Sequence, residues 1–203
     1  EAGILELGNM KTIATGYAAS QRLLFGRPVQ PFQSPRGLRP VADTFVEIEP
    51  GTCFLRSLSL ISSIPESDAK RAGWYHFDGE KKKWKYLDSS IRPDTDKTRS
   101  VEAAHFTTAT FGMFLDHAEP VILDGPYRYR DRLAWKITDT GKGVDPESLF
   151  LTDPDGNRMA IDYDPDRKIA FLRMKPKPGM YRIEVSDRAG NRASARGRWS
   201  PGQ

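Results

Sequence analysis

The chain has 203 residues, with 31 Lys and Arg against 27 Asp and Glu, a formal net charge of +4 and a single cysteine. This length suits one large domain or two small ones, each able to bury a core. No apolar run reaches the roughly 20 residues that a membrane helix needs, which predicts no membrane insertion, and one cysteine excludes an internal disulfide. No signal peptide is visible, and because residue 1 is Glu we expect a mature product or a piece of a longer protein.

Short runs rich in Val, Ile, Phe, Tyr, Trp and Thr, separated by Gly and Pro, predict an all-β fold. In the first half we predict a short helix or an irregular opening at 15–26, an extended proline-rich surface segment at 27–40, strands at 43–50 and 53–62, a hairpin at 72–88 and extended chain at 100–116. The hairpin is the clearest of these, since Asp78-Gly79 is a turn dipeptide between two alternating arms. Cys53 lies between apolar neighbours and is predicted to be a small buried residue.

The character of the sequence changes at Glu119-Pro120, where a proline suits a linker. We therefore predict two β-sandwich modules, a β-rich module at 1–117 with an irregular N-terminal segment and a second sandwich at 118–203. The second contains seven predicted strands at regular spacing, which is typical of an immunoglobulin-type sandwich. These strands are PVIL, RLAWKIT, SLFLT, RMAIDY, KIAFLRM, MYRIEVS and RASARGRW.

Two patterns in the second half carry a family resemblance. The stretches WKITDTGKGVDPESL and YRIEVSDRAGNRA each contain a strand that ends in Asp and a turn that contains Gly. With them, residues 118–199 resemble bacterial immunoglobulin-like domains of extracytoplasmic proteins. The segment before them resembles the β-rich, ZU5/UPA-like region that precedes such domains and follows an M23 (LytM-type) peptidase domain, although residues 1–37 fall outside this likeness. The resemblance implies a location in the periplasm, at the cell surface or in the medium.

The second predicted sandwich has an oxygen-rich end. Successive tight turns alternate between the two ends of a sandwich, so one end collects Asp139, Asp145, Asp164, Asp166, Asp187 and Asn191. Calcium binds six to eight oxygen ligands, which makes Asp139, Asp145, Asp164 and Asp187 candidate ligands. The same residue types also cap turns, and no other cofactor is predicted.

The loop 138–148, TDTGKGVDPES, is predicted to be structural and to join strands of opposite sheets. Asp139 would cap its turn, Gly141 and Gly143 would supply permissive backbone, and Val144 would enter the core. Asp145-Pro146 would start the next strand or a short turn.

No catalytic residue is predicted. The M23 zinc ligands include an H-x-H pattern, which His76, His105 and His117 do not form, so the resemblance places any peptidase domain outside this sequence. The segment His105-Phe106-Thr107 is similar to the His-Phe-Ser site at which some ZU5-type domains cleave themselves, and a plain strand is the alternative.

Basic residues cluster at Lys81-Lys82-Lys83 and at Arg188, Arg192, Arg196 and Arg198. Such clusters bind polyanions in some proteins. Here a hairpin turn and a solvated strand face are predicted instead, with no nucleic-acid partner.

The sequence leaves three functions open. The first is a non-enzymatic extracytoplasmic adhesion, scaffold or spacer module of the cell envelope, with cell-wall glycan or another envelope protein as its partner. The second is an accessory C-terminal region of an M23-type cell-wall peptidase. The third is a carbohydrate-binding module that uses the aromatic hairpin residues Trp74, Tyr75, Trp84 and Tyr86.

Overall fold

Antiparallel β-sheets account for nearly all regular structure in the computed structural model, which describes residues 3–7, 10–15, 25–30, 34–49, 57–106, 109–123 and 125–200. The chain divides into two compact units, Glu1–His117 and Ala118–Gln203. The prediction of an all-β fold built from sandwiches is confirmed. Among the described residues, no helix has the length and apolar character to cross a bilayer.

The first unit is built from two sheets. Its strands are β1 (Gly3–Leu7), β2 (Met10–Thr15), β3 (Phe25–Pro28), β4 (Leu38–Pro40), β5 (Val46–Glu49), β6 (Ser57–Pro65), β7 (Ala72–Asp78), β8 (Lys83–Tyr86), β9 (Ser90–Pro93), β10 (Thr98–His105) and β11 (Thr110–Asp116), with one helical turn, α1 (Glu66–Ala69), after β6. The first sheet has the order β1-β2-β6-β10-β9, and the second has the order β3-β5-β11-β7-β8, with β4 also paired to β11.

The core of the first unit lies between these two sheets. Alternate residues of β11, such as Phe111 and Met113, share one buried cluster with Leu58 of β6 and Val101 of β10. Trp74 of β7 joins the same cluster, and its indole N–H donates a hydrogen bond to the Val101 carbonyl at 2.9 Å. This bond ties the second sheet to the first at the centre of the unit.

The opposite face of the second sheet is also covered. Phe114, Tyr75 and Trp84 form an aromatic cluster there with Phe45, and their rings meet edge to face. The Phe45 ring lies directly on Gly112, where an added Cβ would come within 2.3 Å of a ring atom. The segment that leads into β5 therefore closes a second, smaller core.

Several predictions for the first unit are settled by these strands. The hairpin at 72–88 is confirmed as β7 and β8, and Asp78 Oδ1 accepts the Lys81 N–H in its turn at 2.9 Å. The extended chain predicted at 100–116 is present as two strands, β10 and β11, which belong to different sheets, so the chain crosses between the sheets after His105.

Part of the predicted irregular N-terminal segment is regular structure, because β1 and β2 pair antiparallel, with Leu7 opposite Met10. The proline-rich segment at 27–40 contributes short strand ends, where Pro28 and Pro40 close β3 and β4. Most of the predicted helix at 15–26, and Cys53, lie outside the described residues.

The second unit is a separate two-sheet sandwich. Its strands are β12 (Val121–Ile122), β13 (Tyr127–Tyr129), β14 (Arg132–Thr138), β15 (Phe150–Thr152), β16 (Arg158–Ala160), β17 (Asp162–Asp164), β18 (Ile169–Phe171), β19 (Gly179–Ser186) and β20 (Arg192–Trp199). One sheet has the order β12-β14-β18-β17, with β13 also paired to β14, and the other has the order β16-β15-β19-β20.

The core of the second unit contains Trp135 and Ile137 of β14 with Ile183 and Val185 of β19. The predicted strand RMAIDY is divided: its first half is β16 in one sheet and its second half is β17 in the other. Because the strand is interrupted at Ile161, β16 forms an edge strand of one sheet and β17 forms an edge strand of the other.

Candidate functional site

The loop between β14 and β15 connects the two sheets of the second unit and is organised by one carboxylate. Asp139 Oδ1 accepts hydrogen bonds from the backbone N–H groups of Gly141 at 2.7 Å and Gly143 at 2.9 Å. Gly143 has φ of +89°, a left-handed conformation that favours glycine. Val144 is buried. The predicted roles of Asp139, Gly143 and Val144 are confirmed, whereas Gly141 does not adopt a positive φ.

The second half of this loop is a short 3-10 helix, Pro146–Ser148. Asp145 caps it, since its Oδ1 accepts the Glu147 N–H at 3.2 Å. The Ser148 hydroxyl accepts the Ser186 N–H at 2.8 Å, which fixes the helix to the end of β19. The prediction of a short turn at Asp145-Pro146 is confirmed.

The turn between β19 and β20 meets this loop. Asp187 Oδ1 accepts the Asn191 N–H at 2.8 Å, and its Oδ2 accepts the Asn191 side-chain amide at 2.8 Å. The Arg188 N–H then donates to the Gly143 carbonyl at 3.0 Å. Both loops therefore lie at one end of the sandwich, as the strand order predicts.

The turn between β17 and β18 lies near the same end. Hydrogen bonds from Arg167, first from its backbone N–H and then from its guanidinium, lower the pKa of Asp164. Burial raises the pKa of Tyr163, and the nearby carboxylates of Asp139 and Asp164 raise it further. Asp139 and Asp164 therefore both lie near the hydroxyl group of Tyr163.

The candidate calcium ligands do not converge. Asp139, Asp145, Asp164 and Asp187 each accept hydrogen bonds from the backbone of their own turns, while Asp166 is exposed. Across the described part of the chain, no three His, Cys, Asp or Glu side chains are arranged to hold a metal ion. Calcium binding stays a prediction, and the observed role of these four residues is to cap turns.

Two of the three histidines form a pair in the first unit. The rings of His76 on β7 and His105 at the end of β10 lie 4.7 Å apart between centroids and are inclined by 32°. Burial lowers the pKa of both residues, and the charge of Lys85 lowers the pKa of His76 further. His117 lies elsewhere, with its Nδ1 2.6 Å from an Arg71 guanidinium nitrogen.

This pair predicts a pH dependence of stability. Both folded-state pKa values lie below the ordinary value of 6.5, so the unfolded chain binds protons more readily. The stabilisation is fully present above about pH 6.5 and is lost as the pH falls from there through the folded-state pKa values. Urea unfolding of the first unit should therefore show a lower free energy at pH 5.0 than at pH 7.5.

The charged groups that act on His76 are Lys85, which lowers its pKa, and Asp78, which raises it, while the Phe111 ring packs edge to face against His105. The double variant His76→Gln/His105→Gln should flatten the pH dependence, whereas His117→Gln, outside the pair, should leave it unchanged. Equal unfolding free energies of the unsubstituted chain at both pH values would contradict the prediction.

His105 and Phe106, the described part of the His105-Phe106-Thr107 segment, lie where the chain leaves the first sheet of the first unit. β10 ends at His105, Phe106 is 62% exposed, and β11 begins at Thr110 in the other sheet. Thr107 lies outside the described residues. The alternative of a plain strand is wrong at Phe106, because the chain must leave one sheet to reach the other, and self-cleavage stays an untested prediction.

Three of the four aromatic residues predicted for a sugar-stacking site are buried, and the fourth, Tyr86, is half-buried. Trp74 and Tyr75 are fully buried, and Trp84 is 6% exposed. Trp74 belongs to the core between the two sheets, whereas Tyr75 and Trp84 belong to the aromatic cluster on the opposite face of the second sheet. Because both faces of this sheet are covered, these rings are unavailable to a glycan.

The second unit carries an open groove on a different surface. It has a volume of about 460 Å³ and lies on the outward face of the sheet β16-β15-β19-β20. Four charged residues, Arg158, Arg182, Glu184 and Arg192, line it together with serines and apolar residues. We call this outward sheet face, with its five arginines Arg158, Arg182, Arg192, Arg196 and Arg198, the arginine face.

Strand alternation and register bring these arginines together. Along β20 the exposed positions are Arg192, Ser194, Arg196 and Arg198, while the residues between them are less exposed. Across the sheet, Thr152 pairs with both Arg158 and Arg182, and Arg182 pairs with Arg196. Three strands thus place a cation on one transverse row.

Two contacts fix the arrangement within the groove. The Arg158 guanidinium lies 3.6 Å from the centroid of the Phe150 ring, which is a close cation–π contact. Arg182 forms an ion pair with Glu184 at 2.9 Å. The groove therefore combines two guanidinium groups, each in contact with a neighbouring side chain, with one carboxylate that can accept hydrogen bonds.

The solvated strand face predicted for Arg192, Arg196 and Arg198 is confirmed by their exposure, and Arg188 lies in the turn before β20. Arg158 and Arg182 were not singled out from the sequence. The available signal was the alternation of MYRIEVS, which predicts that Arg182 and Glu184 share one face.

Comparisons with protein-family models, with curated proteins and with solved structures found no match for this chain.

Proposed function

We propose that this chain is a non-enzymatic, extracytoplasmic structural and binding module of a bacterial cell envelope. The observation that carries the proposal is the arginine face, whose open groove is lined in part by Arg158, Arg182 and Arg192. A guanidinium stays protonated at all physiological pH values, so it serves as a fixed cation for binding and is a poor general acid or base.

The fold of the second unit supports the resemblance to immunoglobulin-like domains. Its sheet order β12-β14-β18-β17 corresponds to the A-B-E-D sheet of that class, and β15-β19-β20 corresponds to C-F-G, with β16 in the additional C′ position. The Tyr181 hydroxyl donates to the Lys177 carbonyl at 3.1 Å and accepts the Lys177 N–H at 3.0 Å. Such a tyrosine corner at the start of strand F is typical of these sandwiches.

The alternative proposal is an accessory region of an M23-type cell-wall peptidase. It is favoured by the order of the two units, a β-rich unit followed by the sandwich that carries both resemblance patterns. In that role the chain would position a zinc domain supplied upstream, and its own partner would still be cell-wall glycan or another envelope protein.

Purified chain incubated with peptidoglycan sacculi at neutral pH, with added Zn²⁺, tests the proposal. We expect the protein to sediment with the sacculi and to release no soluble fragments, as measured by chromatography of the supernatant. Release that disappears in His76→Gln or His105→Gln, but persists in His117→Gln, would contradict a non-enzymatic role.

A further inference from the structure

The arginine face has the chemistry of a site for an acidic polymer. We propose that it binds an acidic polysaccharide, a glycan chain that carries carboxylate or phosphate groups along its length. This inference rests on the proposed non-enzymatic binding role and names the ligand class of that role.

The spacing of the cations suits an extended polyanion. Neighbouring strands lie about 4.8 Å apart, so the row from Arg158 on β16 to Arg196 on β20 spans roughly 14 Å. Along β20, side chains two residues apart on one face are separated by about 6.6 Å, which places Arg196 and Arg198 at successive points of a line. A chain with repeating negative charges contacts several of these guanidinium groups at once.

Most of this positive charge is not neutralised within the fold. Glu184 is the one carboxylate among the described residues of this face, and it pairs with Arg182. Within the described residues, Arg192, Arg196 and Arg198 have no carboxylate partner. A bound polyanion would supply that partner and would release the small counterions that otherwise surround it.

The remaining side chains favour a glycan over a nucleic acid. Proteins that bind single-stranded nucleic acids present exposed aromatic rings on which bases stack. The aromatic ring described on this face, Phe150, is covered by Arg158. Glu184 can accept hydrogen bonds from sugar hydroxyls, which an acidic polysaccharide carries along its whole length, and the exposed Ser194 hydroxyl adds a donor and an acceptor beside it.

The test uses the full chain and measures its affinity for a decamer of galacturonic acid by calorimetry over a series of salt concentrations. We expect binding that weakens as salt rises, because each cation contact displaces salt ions. The triple variant Arg192→Gln/Arg196→Gln/Arg198→Gln should lose about tenfold or more in affinity and show a shallower salt dependence.

A matched control removes the same charge elsewhere on the second unit. Arg130→Gln/Lys168→Gln/Lys175→Gln changes three exposed residues, and both triple variants lower the net charge by three, from +4 to +1. The control should weaken binding by less than about threefold. Equal losses in the two triple variants would overturn the assignment to this face.

A second variant keeps the inference testable if the triple variant of Arg192, Arg196 and Arg198 does not fold. Arg158→Gln/Arg182→Gln lies on the other two strands that contribute cations and should also weaken binding. A neutral galactan of the same length should not bind, whereas tighter binding of a ten-residue oligothymidylate would reassign the face to nucleic acid. Absence of decagalacturonate binding by the unsubstituted chain would overturn the inference while leaving the proposed function intact.

The length of the galacturonate decamer recovered after the binding experiment distinguishes a failure of the acidic-polysaccharide site from a failure of the proposed non-enzymatic function. We expect the recovered decamer to have its original length. Shortened products, with binding still dependent on the arginines, would overturn the non-enzymatic function and retain the site.

Discussion

Replacement of Trp74 by alanine should lower the unfolding free energy of the first unit by about 3–5 kcal/mol. The side chain is fully buried between the two sheets, so its removal exposes no polar group to water and leaves a cavity lined by core residues. The loss also breaks the bond from the indole N–H to the Val101 carbonyl. Urea unfolding followed by far-UV circular dichroism measures the change.

Trp74→Phe separates the two contributions. Phenylalanine keeps most of the ring volume but removes the N–H donor, and we expect a loss of about 1–3 kcal/mol from the lost hydrogen bond to the Val101 carbonyl and the smaller ring. Only the transition of the first unit should move, since Trp74 belongs to the core of that unit. A loss below about 1 kcal/mol for Trp74→Ala would show that the two sheets do not depend on this contact.

The β7–β8 hairpin illustrates what local sequence predicts and what it does not. The alternation around Asp78-Gly79 predicts the turn and places Trp74 and Tyr75 on opposite faces of the strand. It does not predict that both are buried, because the cover of the outer face comes from Phe45, distant in sequence. A pattern of one strand reports which residues share a face and does not report what packs on it.

The sequence analysis did not predict the division of 100–116 into two strands or the β1–β2 hairpin. The strands β10 and β11 read as one extended segment because the crossing at Phe106 contains no glycine or proline to mark it. The β1–β2 hairpin carried a signal, Gly8-Asn9 between two alternating runs, which favours a two-residue hairpin connection.

The two candidate sites differ in how far the sequence predicts them. Strand order suffices to gather the aspartate turns at one end, since each tight turn reverses the chain. It does not give the direction of a carboxylate, and Asp139 and Asp187 are directed at N–H groups of their own turns. The arginine face depends instead on sheet order: Arg158 and Arg196 share a row only because β15 and β19 lie between their strands.

Asp139→Ala should lower the unfolding free energy of the second unit by about 2–3 kcal/mol. The substitution leaves the N–H groups of Gly141 and Gly143 without their shared acceptor, at 2.7 and 2.9 Å in the intact loop. It also loosens the contact with the neighbouring turn, where the Arg188 N–H bonds to the Gly143 carbonyl. The midpoint of the urea transition of the second unit measures the effect.

Asp139→Asn is the matched variant, because its amide oxygen can accept the same two bonds without the charge, so we expect about half the loss of the alanine variant.

Thermal unfolding with and without Ca²⁺ tests whether the loop has a role beyond structure. A native-state ion at a hundredfold excess over its Kd would stabilise the unit by about 2.7 kcal/mol, whereas a purely structural loop should give the same melting temperature with and without millimolar Ca²⁺. A calcium-dependent rise that is lost in Asp145→Ala would show that these carboxylates bind an ion in addition to capping their turns.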